Sequence, residues 1–296
     1  VPHVVEIPIM APSRIDHGPG PDVVQRRGVG VDPRETRDVG VDFGRTAQDY
    51  AAHRAGFPPE LFDRLVAMGI GRSGQRLLDL GTGTGTLARG FARRGASVVG
   101  IDPSEPLLVE ARRLSRREGV QVDYRVGRAE DIDAPDHSFD GVTAGQCWHW
   151  FDRPVAAAEC MRILRPDAAL VICHFDWLPL PGNIVAATEG LILEHNPEWP
   201  LSGGLGMYPL WTLDVAEAGF ERLETFSFDV KVPYSHEAWR GRIRASAGVA
   251  ASLPPDAVAA FDRELGTILE RDFPDQPLEI PHRVWALVAR SPAVTI

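Results

Sequence analysis

The stretch Leu77-Leu78-Asp79-Leu80-Gly81-Thr82-Gly83-Thr84-Gly85 decides the fold. Its apolar residues read as the end of a buried strand, and three glycines alternate with threonines directly after it. Glycine lets the backbone turn sharply and lets a ligand approach it closely. An amphipathic run, Leu87 to Phe91, follows, so the turn feeds a helix, whose first N–H groups have no partner within the helix itself. A strand, a glycine-rich turn and a helix in that order open the nucleotide-binding half of a doubly wound α/β sheet. A dinucleotide fingerprint, G-x-G-x-x-G, needs its third glycine at position 86. That position is Thr86 here, and the third glycine comes one residue early.

Outward from this loop the chain alternates. Strands are expected at 76–80, 97–102, 121–126, 138–145 and 169–175. Helices are expected at 58–70, 84–94, 105–117 and 154–164. Such alternation means a parallel sheet with helices on both faces. After 175 the rhythm breaks into a Pro-, Gly-, Trp- and Asn-rich stretch, 176–207, to which no single element is assigned. A helix at 209–218, a strand at 222–230, two helices within 235–272 and a last strand at 284–289 resume it. The expectation is therefore α/β: a Rossmann-like, doubly wound, seven-stranded sheet, mostly parallel with an antiparallel last strand, plus a helical and loop cap. Three parts are expected: an irregular extension at 1–42, a cofactor-binding core at 43–175, and at 176–296 the rest of the sheet with cap insertions.

Ligands of open α/β sheets bind beyond the carboxyl ends of the strands. Asp102 ends the second expected strand, about twenty residues past the glycine loop, where an acid can accept both ribose hydroxyls. Its plainer role is to cap the helix that follows Pro103 and Ser104. Gly127-Arg128-Ala129-Glu130-Asp131 follows the third strand, and Phe139-Asp140-Gly141-Val142-Thr143-Ala144-Gly145-Gln146 ends the fourth. Cys147-Trp148-His149-Trp150-Phe151 comes next, and Phe43-Gly44-Arg45-Thr46-Ala47-Gln48-Asp49-Tyr50 stands upstream.

Taken together, these segments resemble the class I S-adenosylmethionine (SAM) methyltransferases. They are most similar to the UbiE-like and trans-aconitate-methyltransferase-like, or type 11, branch. The resemblance implies SAM as cofactor. It implies that Gly81, Thr82, Gly83 and Gly85 form the cofactor loop, and that Asp79 helps to hold the methionyl ammonium group. It further implies that Asp102, Pro103 and Ser104 lie at the ribose, and that Ala129, Glu130 and Asp131 read the adenine edge, Asp131 being the better acid for the exocyclic amine. Gln146 would contact the methionyl part, and Tyr50 and Arg54 would cover the donor. One departure is Arg165-Pro166-Asp167-Ala168, where relatives turn with Pro-Gly-Gly.

Methyl transfer from a sulfonium is a direct displacement, so alignment supplies most of the catalysis. A base is needed only when the nucleophile arrives protonated. His149 is the expected base or acceptor-orienting group, with His174 a second candidate; packing between Trp148 and Trp150 is the plain alternative for His149. A carboxylate acceptor would instead need cationic clamps, which Arg240 and Arg244 could supply from one helix face. Trp148, Trp150, His174 and Trp177 are expected to line an apolar acceptor pocket. The rival reading is a SAM-fold protein that binds the cofactor without methylating, because fold does not fix function.

Composition narrows the acceptor. The 296 residues are 44% hydrophobic and 24% charged, with a formal charge of −10. That balance argues against a nucleic-acid or anionic-membrane surface and favours a small-molecule acceptor. Lys231 is the only lysine, an arginine bias that reads as a GC-rich bacterial coding sequence. Cys147, Cys160 and Cys173 form no C-x-x-C, which suits free thiols in a reducing cytoplasm. No metal-ligand spacing, secretory leader or membrane-spanning apolar run is expected.

Overall fold

The computed structural model describes residues 56–250 and 252–293. The expected extension at 1–42, and the segment that carries Tyr50 and Arg54, lie outside the described residues. The elements run α1 (Pro59–Ala67), β1 (Arg76–Leu80), α2 (Thr86–Ala92), β2 (Ser97–Asp102), α3 (Glu105–Glu118), β3 (Asp123–Val126), β4 (Phe139–Gly145), a 3₁₀ turn (Trp148–Trp150), α4 (Arg153–Ile163) and β5 (Leu164–Trp177). They continue with α5 (Ile184–His195), α6 (Trp211–Glu217), β6 (Glu221–Tyr234), α7 (His236–Arg244), α8 (Pro255–Asp272) and β7 (Leu278–Arg290). One seven-stranded sheet results, in the order β3-β2-β1-β4-β5-β7-β6. The pairs from β3 to β5 are parallel, and β7 is antiparallel to both its neighbours.

The sequence dictates this arrangement locally. Strands covered on both faces are near-continuous apolar runs, and β1 is buried at every position after Arg76. Side chains alternate across a strand, so Leu78 and Leu80 join one core with Ala156 and Cys160 of α4 and Val215 of α6. Leu77 joins the opposite core with Leu61 and Leu65 of α1, Phe91 of α2 and Leu108 of α3. The α1–α2 contact is close: a Cβ on Gly90 would lie 2.1 Å from the Phe62 ring.

A third core forms the cap. Val185 and Ile192 of α5, Trp239 and Ile243 of α7, and Phe261 and Leu265 of α8 pack together over Tyr234, Leu278 and Ile280 at the adjoining ends of β6 and β7. Helix α5 occupies part of 176–207, where no particular element was expected. It is apolar on most faces and so gives no amphipathic stripe. The Pro-Gly-Asn before it reads as a loop, but Asn183 caps the helix by accepting from the Ala186 N–H at 2.9 Å. Strand β5 starts earlier than expected and runs for 14 residues. Asp167 takes the left-handed turn, φ 63°, that glycine would otherwise fill, a conformation that aspartate tolerates better than most side chains.

Candidate functional site

The chain lays down β1, β2 and β3 on one side and then crosses to place β4 on the other side of β1. That reversal makes the carboxyl ends of β1 and β4 the topological switch point, where such sheets bind ligands. The glycine loop sits there. Gly81, Gly83 and Gly85 have φ of 54°, 55° and 80°, values that disfavour any residue with a Cβ. A Cβ on Gly81 would lie 2.8 Å from Cys147, and one on Gly85 would lie 2.1 Å from the Tyr124 hydroxyl. At Gly83 the nearest atom would be 4.0 Å away, so the loop's middle residue borders open space while its ends are packed.

Two buried carboxylates hold this loop. Asp79 accepts from the Thr82 hydroxyl at 2.6 Å and from the Thr143 hydroxyl at 2.7 Å. Burial pushes its carboxyl up to about 6 despite those donors, and the charge of Asp102 adds a smaller push. Asp102 accepts the Gly83 N–H at 2.9 Å on one oxygen and the Ser104 N–H at 2.8 Å on the other. Burial raises it too, against these two backbone donors. Each carboxylate oxygen has two lone pairs, so each Asp102 oxygen keeps capacity for one more donor beyond these. Asp102 does not cap α3, whose N-cap is Ser104 with no side-chain cap bond; its bond to the Ser104 N–H instead fixes the carboxylate at the mouth of the site. Pro103 beside it is exposed.

Beyond β3, Ala129 is buried and Asp131 exposed. Glu130 is committed elsewhere: its carboxylate accepts the Asp152 N–H at 2.9 Å, at the start of α4, and lies 3.6 Å from Arg128. At the end of β4, Gln146 has φ 58°, uncommon for a residue that is not glycine and often found at functional sites. Its amide donates to the Phe175 carbonyl at 2.6 Å and to Asp176 at 3.1 Å.

Asp176 is the focus of a polar cluster that the sequence reading missed. Besides Gln146, it accepts the Tyr208 hydroxyl at 2.8 Å and lies 3.3 Å from Nδ1 of His174. Burial alone would raise its carboxyl, but His174, Tyr208 and Gln146 together hold it well below the usual range. His174 is 3% exposed. Its ring centroid lies 4.3 Å from Tyr208, 4.9 Å from Trp211 and 5.4 Å from His149. His149 in turn sits 4.6 Å from Trp150 and parallel to Trp211. Tyr208 and Trp211 stack at 4.1 Å. The expected residues His149, Trp150 and His174 are thus brought together, with Tyr208 from just before α6 and Trp211 from its start.

Three expected acceptor contacts are placed otherwise. Trp148 is wholly buried in the core and donates its indole N–H to Asp214 at 3.1 Å. Arg240 and Arg244 are turned to α8: both bond Asp262, Arg244 at 2.8 Å, and both reach Glu237, at 3.4 and 3.2 Å. They staple α7 to α8. The arginine between them, Arg242, instead lies over the Trp177 ring at 4.6 Å. Trp177 itself donates to Glu189 of α5 at 2.7 Å and stands between the polar cluster and the cap.

Among the described residues no group of three or more His, Cys, Asp or Glu could hold a metal ion, and no helix is long and apolar enough to cross a membrane. The three cysteines are buried and free.

Comparison with known proteins gives the family and the fold. Residues 78–172 match the model of a methyltransferase domain family. A ubiquinone biosynthesis O-methyltransferase of Xanthomonas axonopodis pv. citri is 38% identical over 176 residues, 59% of this chain and 72% of that protein. An uncharacterized methyltransferase of Mycobacterium tuberculosis, Rv3342, is 37% identical over 134 residues, 45% of this chain and 52% of that one. The chain thus spans about half the length of several curated relatives that it matches. Among solved structures, a putative type II methyltransferase from Anaeromyxobacter dehalogenans superposes with a TM-score of 0.54, at 22% identity, covering 81% of this chain and 97% of that one.

Proposed function

Because the chain belongs to the SAM-dependent methyltransferase family, in its type 11 branch, we propose that it moves a methyl group from SAM to a small-molecule acceptor by direct displacement. One observation carries the reading. Asp102 is fixed at the switch point by the Gly83 and Ser104 N–H groups, with acceptor capacity left on both oxygens for a ribose diol. Open space above Gly83 fits a cofactor lying across the loop. Ala129 and the exposed Asp131 would meet the adenine, and Gln146 the methionyl end. Asp79 would act as a buried negative charge beneath the loop, and Tyr50 and Arg54 would close over the donor.

When bound, SAM supplies a methyl group already activated on a positively charged sulfur. The protein's part is then to hold the acceptor in line with it, which alone can contribute roughly 7–11 kcal/mol. The cofactor would span the ends of β2, β1 and β4, leaving the acceptor over β4 and β5, where His149, Trp150, His174, Tyr208 and Trp211 meet. An aromatic wall of this kind suits a planar acceptor. The net charge of −10 makes nucleic acid a poor partner. Three free, buried thiols fit a reducing cytoplasm.

The test is incubation with SAM across a panel of small metabolites, read by mass spectrometry. Formation of S-adenosylhomocysteine together with a methylated product is the expected result. Tight SAM binding with no product across the panel would favour the rival, a cofactor-binding protein that does not methylate.

A further inference from the structure

We propose that His174, oriented by Asp176, takes the proton from the acceptor, and that the acceptor is a planar molecule methylated on a hydroxyl that arrives protonated. The inference rests on the SAM reading above and deepens it.

Nε2 of His174 is buried and has no hydrogen-bond partner, whereas buried polar atoms are nearly always paired. The other ring nitrogen is spoken to by Asp176 at 3.3 Å. An ionised carboxylate only accepts, so Nδ1 must carry the proton and donate it. In the neutral ring Nε2 is then a bare lone pair, the state required of a base. Asp176 is held in place for this task by two more donors, Tyr208 and Gln146. A carboxylate that fixes the tautomer and steadies the imidazolium is the logic of an orienting group behind a histidine base.

Position agrees with chemistry. His174 pairs with Trp285 near the end of β5, and the β4–β5 register sets Gly145 opposite Cys173. The base therefore stands one strand beyond the switch point, on the side away from Asp102. The His149 ring lies 5.4 Å from that of His174. We assign His149 to orienting the acceptor. The charged and titratable groups around His174 are Asp176 on its own strand, Tyr208 before α6 and His149 after β4; Arg242 of α7 and Glu189 of α5 act on it through Asp176.

The surroundings select the acceptor. Asp176 would repel a carboxylate, and the two arginines expected to clamp one are bound to Asp262. The rings of Tyr208, Trp211 and His149 that enclose His174 match a flat, apolar ring with a hydroxyl. Tyr208 sits on the turn-rich segment between α5 and α6, where Gly203 and Gly206 have φ of 72° and 63°. A shift of that segment would uncover Nε2. In the step, Nε2 takes the hydroxyl proton. An oxygen electron pair forms the bond to the methyl carbon, and the carbon–sulfur bond breaks with its pair going to the sulfonium sulfur. His174 is left as an imidazolium beside Asp176 and returns its proton to water.

Two measurements test this. The first needs no acceptor: nitrogen-15 NMR of the imidazoles in the wild-type complex with S-adenosylhomocysteine. A bare Nε2 on His174 in the neutral ring is expected, and a protonated Nε2 would overturn the proposal. The second uses catechol and 4-nitrocatechol as acceptors with wild type, His174→Gln and Asp176→Asn. His174→Gln should lose about 100-fold or more on catechol, far less on the more acidic 4-nitrocatechol, and bind SAM as wild type does. Asp176→Asn should lower the rate and move the rising limb of the pH–rate profile to lower pH, because the imidazolium loses its counter-charge. Equal losses on both catechols, or full turnover by His174→Gln, would overturn the base. Methylation of neither catechol by a wild type that binds SAM would overturn the acceptor class. Failure to bind SAM would strike the cofactor reading itself.

Discussion

Replacing Asp79 with asparagine removes the most costly charge at the candidate site while keeping its shape. The carboxyl is 2% exposed and pushed from 3.8 up to about 6, chiefly by burial. The folded protein therefore holds this proton more tightly than the unfolded chain does. The resulting stability is complete below 3.8 and is lost as pH rises through about 6. The shift corresponds to about 3 kcal/mol between those limits. Asparagine resembles the protonated acid but does not titrate, and its amide weakens the bonds to Thr82 and Thr143, so Asp79→Asn should lie about 0–2 kcal/mol below wild type at the acid end of the window. At pH above 7 it should be the more stable protein by about 1–3 kcal/mol, allowing about 1 kcal/mol for each weakened bond to Thr82 and Thr143. Urea unfolding of both proteins across this pH range, without ligand, gives the difference directly and cancels the other carboxyls. A variant that is less stable than wild type above pH 7, or a difference that does not change with pH, would refute the reasoning.

Three further outcomes follow from the same geometry. Asp102→Ala strands the Gly83 and Ser104 N–H groups and should weaken SAM by about 1–3 kcal/mol in titration calorimetry, with some loss of stability; wild-type affinity in a folded variant would remove Asp102 from the site. Gly85→Ala places a Cβ against the Tyr124 hydroxyl at a positive φ, so chemical denaturation should register a loss of about 2–4 kcal/mol. Arg240→Ala and Arg244→Ala should leave the acceptor's Michaelis constant unchanged and lower stability by about 0.5–1 kcal/mol each, since both arginines serve the α7–α8 contact; a raised Michaelis constant would return them to the acceptor.

The fold was legible wherever burial writes itself into composition. Strands β1, β2 and β4 are short apolar runs, and the glycines between β1 and α2 announce a turn that few other residues could make. Helix α5 was not legible, because a helix apolar on most faces has no clear period to read and its Asn183 cap looks like a loop. At the candidate site, Asp102 was marked by its place at a strand end and Asp79 by the resemblance alone. Trp148 and Trp150 could not be told apart, since a 3₁₀ turn sends one into the core and leaves the other beside His149. Asp176 left a signal that went unused: His174-x-Asp176 at a strand end puts both side chains on one face. Tyr208, contributed by the segment before α6, and Asp262, which claims Arg240 and Arg244, are joined to their partners only by tertiary structure.

The account stands most directly on the identity of the cofactor. Calorimetric titration of the chain with SAM, and separately with NAD, measures it in one assay. Saturable binding of SAM at one molecule per chain is predicted, weakened about fivefold or more by Asp102→Ala, with no comparable binding of NAD. Absence of SAM binding, or tighter binding of NAD, would contradict the assignment of the glycine loop and of everything built on it.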